Sequence, residues 1–134
     1  MADDWNQRVI DSFRAHEGYV EGFGRRLVLL HHRGARSGTM RISPVMTFAA
    51  DDGGWLVAAS KGGAPENPAW FHNLKAHPDI VIEVPGEGEV AVHVEELTGE
   101  ARDAAWARFA AHQGFASYQE RTARTIPVLH LTRR

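Results

Sequence analysis

Apolar positions along the chain change their spacing several times, and each change marks an element. Trp5, Val9, Phe13 and His16 recur at helical intervals, which predicts a first helix capped by Asp3 or Asp4. Gly18, Gly22 and Gly24 end that pattern, so residues 17–25 read as a loop. Leu27-Val28-Leu29-Leu30 is apolar on both parities, the mark of a strand covered on both faces, as in the wall of a closed barrel. Gly34 to Thr39 reads as a turn. Arg41 to Ala49 is the returning strand, with Pro44 at a bulge or at an unpaired ladder position. Asp52-Gly53-Gly54 then predicts a hairpin before a strand over Trp55–Ser60.

Gly62-Gly63 breaks this strand, and order resumes in a helix from Pro68 to Ala76, with Asn67 as N-cap and His77-Pro78 as its stop. Ile80, Ile82 and Val84 alternate with Val81 and Glu83, and Val90, Val92 and Val94 with Ala91 and His93. With Pro85–Gly88 between them they form a second hairpin with one buried and one wetter face. A helix opening at Thr98 or Gly99 carries Trp106, Phe109 and Ala110 on its buried side. A short helix over Ala116–Ala123 and a strand over Ile126–Leu131 complete the chain. Short, largely antiparallel strands, about six in all, point to a small mainly-β barrel flanked by helices, in the α+β class.

Length and composition narrow the function. The 134 residues suit one domain, 1–134, with a real core. A net charge of −2, with no basic run, argues against a nucleic-acid partner and against strong electrostatic membrane binding. The absence of cysteine excludes disulfides, thiol chemistry and iron–sulfur ligation. No signal peptide and no bilayer-length apolar run are seen, so the expected place is the cytoplasm, peripheral membrane contact remaining open.

Two stretches carry candidate chemistry. Val57–Leu74 combines Ser60, Lys61, two glycines that bare the backbone and a helix N-terminus: the parts of an anion site, or of an ordinary strand–loop–helix connection. Arg33–Arg41 is a glycine-bounded turn with three arginines and a hydroxyl, suited to phosphate or carboxylate, or else a solvated basic turn. The anion reading gains force if the two stretches are neighbours. Eight histidines are present, yet none forms an H-x-x-x-H or H-E-x-x-H pattern, so no metal is expected. No G-x-S-x-G occurs, which argues against nucleophilic hydrolysis. Trp70, on the helix facing the glycine loop, is the tryptophan best placed against a planar ligand.

The order G-x-R-S-G-x-x-R-x-x-P (Gly34–Pro44), A-S-K-G-G-A-P-x-N-P-x-W-x-x-N-L-x-A-x-P (Ala59–Pro78) and G-F-x-x-Y-Q-x-x-T-x-R-x-I-P-V (Gly114–Val128) resembles the deazaflavin-dependent nitroreductase family, also described as F420H2-dependent quinone reductases. The resemblance implies a split β-barrel related to flavin-binding barrels, and an enzyme using reduced coenzyme F420. Its acceptor would be a quinone, an activated alkene or a nitroaromatic. It further implies that Arg36, Ser37, Gly38, Arg41 and Pro44 hold the cofactor phosphate and acidic tail. Ala59, Ser60, Lys61, Gly62 and Gly63 would line the phosphate and ring, and Pro68, Trp70, Phe71, Asn73 and Leu74 a helix end and wall. Met46, His112, Phe115 and Tyr118 would face the acceptor, with only Tyr118 keeping the ring hydroxyl common there in the family. Ser60 or Tyr118 would hydrogen-bond the acceptor and supply a proton, solvent being the alternative. A non-catalytic binder of F420 or another hydrophobic ligand, and an FMN-dependent oxidoreductase on the same barrel, stand as alternatives. The oligomeric state, monomer or dimer, is left open.

Overall fold

A computed structural model describes residues 2–60, 65–111 and 115–134. In chain order the elements are α1 (Ala2–Ala15), β1 (Leu27–Arg33), β2 (Met40–Met46), β3 (Phe48–Ala49), β4 (Trp55–Ala58), α2 (Ala69–Ala76), β5 (Asp79–Val84), β6 (Gly88–Glu96), α3 (Gly99–Ala110), α4 (Phe115–Glu120) and β7 (Val128–Arg133). The described strands form one seven-stranded sheet, β2-β1-β5-β6-β7-β4-β3, against about six expected. Every pairing is antiparallel.

The extra strand closes the barrel. β2 and β3 lie at opposite ends of the strand order, yet only Thr47 separates them in sequence. Consecutive Cα atoms are about 3.8 Å apart, so the two edges must meet and the sheet must curl. Thr47 is anchored at the crossing, its N–H and Oγ1–H both donating to the Arg26 carbonyl at 2.8 and 3.1 Å. The expected single strand over 41–49 is therefore two strands that part at Thr47. Pro44 stands opposite Leu29 in an unbroken register, so no bulge occurs there; its missing N–H falls on the edge strand, where the ladder tolerates it.

Alternate residues of the strands sort into the barrel interior and its outer faces. Val28, Leu30, Val57, Ile82, Val92, Leu129 and Leu131 fill the inside, where Phe71 and Leu74 of α2 join them. Leu27 and Leu29 turn outward beneath Val9, Ile10 and Phe13 of α1. Leu56, Ala58 and Val128 turn outward beneath Ala105 and Phe109 of α3. This explains the unbroken aliphatic run in β1: each parity has its own cover, and each fully buried Leu or Val contributes roughly 1.5–3 kcal/mol.

Helix ends differ from expectation. α1 already includes Ala2, which places Asp3 and Asp4 inside it rather than at its cap. Trp5 is 52% exposed and meets Phe23 edge-on, while Ile10 takes the buried position. His16 lies beyond the helix, its Nδ1 bonding the Ser12 carbonyl. At α3, Trp106 and Ala110 are only half-buried, and Ala105 joins Phe109 in the core.

Candidate functional site

The turn between β1 and β2 is closed by its own backbone. Gly34 N–H donates to the Thr39 carbonyl and Gly38 N–H to the Gly34 carbonyl, each at 2.9 Å. Gly38 has φ +72°, a conformation that favours glycine, and a Cβ on Gly34 would stand 2.5 Å from Ser37 Oγ, so the serine side chain would have to turn away. Ser37 Oγ accepts from the Thr39 N–H at 3.2 Å. The exposed Arg36 and Arg41 side chains are left at the edge of the turn.

This turn faces α2. An open groove of about 660 Å³ is lined by Gly34, Ala35, Arg36, Ser37 and Arg41 on one side, and by Ala69, His72 and Asn73 on the other. The arginine turn thus neighbours the α2 part of the second stretch singled out in the sequence. Lys61, Gly62 and Gly63 lie outside the described residues.

A buried polar chain joins the groove's two sides. Asn73 Oδ1 accepts the Ala35 N–H at 2.9 Å, and Asn73 Nδ2 donates to His32 Nδ1, also at 2.9 Å. His32 Nε2 then carries the proton and donates to Ser43 Oγ at 2.8 Å. Burial first, and then the electrostatic influence of Arg41 and His31 nearby, push His32 down to about 4. Asn73 therefore lies on the groove wall and also braces α2 against the arginine turn.

The chain entering and leaving residues 61–64 is held by Arg124. Its Nη2 donates to the Ser60 carbonyl at 2.8 Å, and its Nη1 to Asn67 Oδ1 at 2.8 Å and the Ala59 carbonyl at 3.2 Å. Burial lowers the Arg124 guanidinium from its ordinary value, with Glu66 acting against that shift. Asn67 is accordingly not the N-cap. Pro68 occupies that position with φ −65° and ψ 154°, no side chain caps the helix, and α2 begins at Ala69.

The remaining expected residues are dispersed. Ser60 is buried, and Ala59 belongs to the barrel interior. Phe71 and Leu74 point into the barrel, and Trp70 is half-buried against the same cluster. Pro44 is half-buried in β2. Met46 packs with the residues under α1, whereas Tyr118 packs with those under α3 and has the Arg121 guanidinium 5.8 Å from its ring centre. Those two residues do not meet in one cluster. Phe115 opens α4, and His112 lies outside the described residues. Two residues escaped the sequence reading. Arg124 stands in the third motif without a role, and His72, one of the eight histidines, lines the groove. Among the described residues no group of His, Asp and Glu is arranged to hold a metal.

The curled sheet with helices packed on its outer faces defines a split β-barrel protein with an open groove between the arginine turn and α2. Residues 5–133 match the family model described as F420H(2)-dependent quinone reductase. An F420H(2)-dependent quinone reductase of Mycobacterium tuberculosis is 34% identical over 146 aligned positions, covering 97% of each chain. A solved F420-H2 dependent reductase superposes with a TM-score of 0.70 at 35% identity, over 81% of this chain and 95% of its own. A second solved structure, described as a domain-swapped dimer, gives 0.72 at 31% identity over 98% and 100% of the two chains. The chain belongs to the F420H2-dependent quinone reductase family, whose members are oxidoreductases using reduced coenzyme F420.

Proposed function

We propose that the groove between the arginine turn and α2 binds the anionic part of F420, and that the chain, as one domain over 1–134, reduces a quinone at the cofactor's ring. The observation that carries this reading is the apposition of Arg36 and Arg41 to the first half of α2 across one open groove. The cofactor carries a phosphodiester and carboxylates, and guanidinium donors with bared backbone amides fit that chemistry. The bound deazaflavin supplies the hydride, so the protein needs no nucleophile. Arg36, Ser37, Gly38 and Arg41 hold the tail, and Lys61, Gly62 and Gly63 extend that hold toward the ring. Arg124 braces the glycine loop, and Asn73, itself on the groove wall, ties α2 to the arginine turn.

Tyr118, with Phe115 and His112 three and six residues before it, is the candidate acceptor side. Ser60 or Tyr118 is the candidate proton donor. Met46, which packs with the residues under α1, is a further candidate for that side. Activated alkenes and nitroaromatics share the electrophilic character of quinones and are further candidate acceptors. No described helix is long and apolar enough to cross a membrane. The exposed Trp5 and Tyr19 support peripheral contact with a bilayer, which vesicle flotation tests.

Side-by-side fluorescence titration with F420 and FMN, followed by oxidation of F420H2 with menadione, tests the reading. Tighter F420 binding and turnover are expected. Equal affinity for both cofactors would remove the tail-binding role of the groove, and tight binding without turnover on a broad acceptor panel would leave a carrier.

A further inference from the structure

The chain Ser43–His32–Asn73–Ala35 spends buried volume on polar groups at a place where aliphatics surround it. Each link restricts the next. The Asn73 amide has two orientations, and only one puts Oδ1 under the Ala35 N–H. The other would set its NH2 against that N–H, donor against donor. His32 Nδ1 decides between them, because as an acceptor it takes the Asn73 NH2 and leaves the oxygen for Ala35. With Nδ1 committed to accepting from Asn73, the His32 proton lies on Nε2, and Ser43 Oγ accepts it.

We infer that His32 is a positioning residue for the cofactor groove: through Asn73 it fixes the distance between the arginine turn and α2. The inference rests on the groove being the F420 site. Ala35 directly precedes Arg36, and its bond to Asn73 reaches across from the turn to α2 at the groove. The turn's internal bonds at Gly34 and Gly38 do not involve Asn73, so loss of the brace leaves the turn folded but free to drift from α2. His32 is 2% exposed and does not line the groove, so its influence on a ligand must pass through Asn73.

Two polar replacements separate this role from simple packing. His32→Asn places a side-chain oxygen near the position of Nδ1, whereas His32→Gln reaches toward Ser43 and offers nothing at the δ position. In His32→Gln the Ala35 amide is expected to exchange with solvent at least about tenfold faster, with Gly34 and Gly38 little changed. F420 affinity should fall about tenfold while kcat at saturating cofactor stays within about twofold. His32→Asn should keep both within about threefold of wild type. Equal Ala35 exchange in the two variants overturns the inference, as does uniform loss of protection at Gly34, Ala35 and Gly38. Should His32→Gln fail to fold, His32→Leu, apolar and without an acceptor for the Asn73 NH2, repeats the test: faster Ala35 exchange supports the brace, and unchanged exchange overturns it. If wild type does not bind F420 while the exchange contrast persists, the groove assignment falls and the brace stands.

Discussion

Arg124 Nη2 donates to the Ser60 carbonyl at 2.8 Å, and the same guanidinium holds Asn67 on the other side of residues 61–66. One cation from the segment before β7 thus clamps both ends of the glycine loop. Charge-assisted hydrogen bonds of this kind contribute about 1.5–3 kcal/mol when partly buried. Arg124→Ala should lower stability by about 2 kcal/mol and weaken F420 binding. Urea unfolding and a fluorescence titration check the two effects. Arg124→Lys, lacking the planar fork, should recover less than half of either.

Arg36 lies exposed at the groove, and its removal should act on ligand alone. Arg36→Ala is expected to weaken F420 binding by one to two decades, about 1.5–3 kcal/mol, with Tm unchanged. Lys61→Ala should behave in the same way. An affinity for F420 equal to wild type in both variants would place the tail elsewhere.

His32 produces an acid-sensitive stability with a definite sign. Its folded value of about 4 lies below its ordinary 6.5, so the unfolded chain takes up the proton first. The contribution is fully present above about pH 6.5 and is lost as pH falls from there through about 4. Its size reaches on the order of 3 kcal/mol. Urea midpoints between pH 4 and 7 should fall with acidity in wild type, and His32→Asn should flatten that slope. The carboxylates whose values are held low by their partners, Glu83 among them, lose their contribution at still lower pH.

Glu83 fastens α1 to the barrel. Arg14 grips its two oxygens at 3.1 and 2.7 Å, and His31 Nε2 lies 2.6 Å from Oε2. The hydrogen bond from Arg14, and then that from His31, hold the Glu83 carboxyl below the usual carboxylate range. Arg14 is 47% exposed, so solvent discounts the pair to about 0.5–1 kcal/mol. Glu83→Gln should cost about that much, with a loss that shrinks in high salt, measured by thermal unfolding across an ionic-strength series.

Tyr118 carries the ring hydroxyl proposed for the acceptor side. Tyr118→Phe should reduce kcat with menadione by about three- to tenfold and leave F420 affinity within about twofold. A large change in cofactor affinity with an unaltered kcat would move Tyr118 to the cofactor side.

The alternation of β5 and β6, the doubly covered run of β1, the two hairpins and the flanking helices were all legible in the chain, because residue spacing reports which faces are buried. The arginine turn and the glycine loop were legible as candidate halves of a site through residue type alone. Tertiary structure decided what those local patterns leave open. The sheet closes at Thr47 because β2 and β3, though adjacent in sequence, pair with different strands on opposite sides of the barrel. Asn67 leaves its capping role because Arg124, 57 residues away in sequence, offers it a charged donor. Asn73 becomes a buried brace because the fold brings His32 and Ala35 to its two amide atoms. Periodicity depends on neighbours within a few residues, whereas a polar side chain takes whichever partner the packed chain delivers to it. The elements could therefore be read from the sequence, and the polar partners that shape the groove could be read only from the fold.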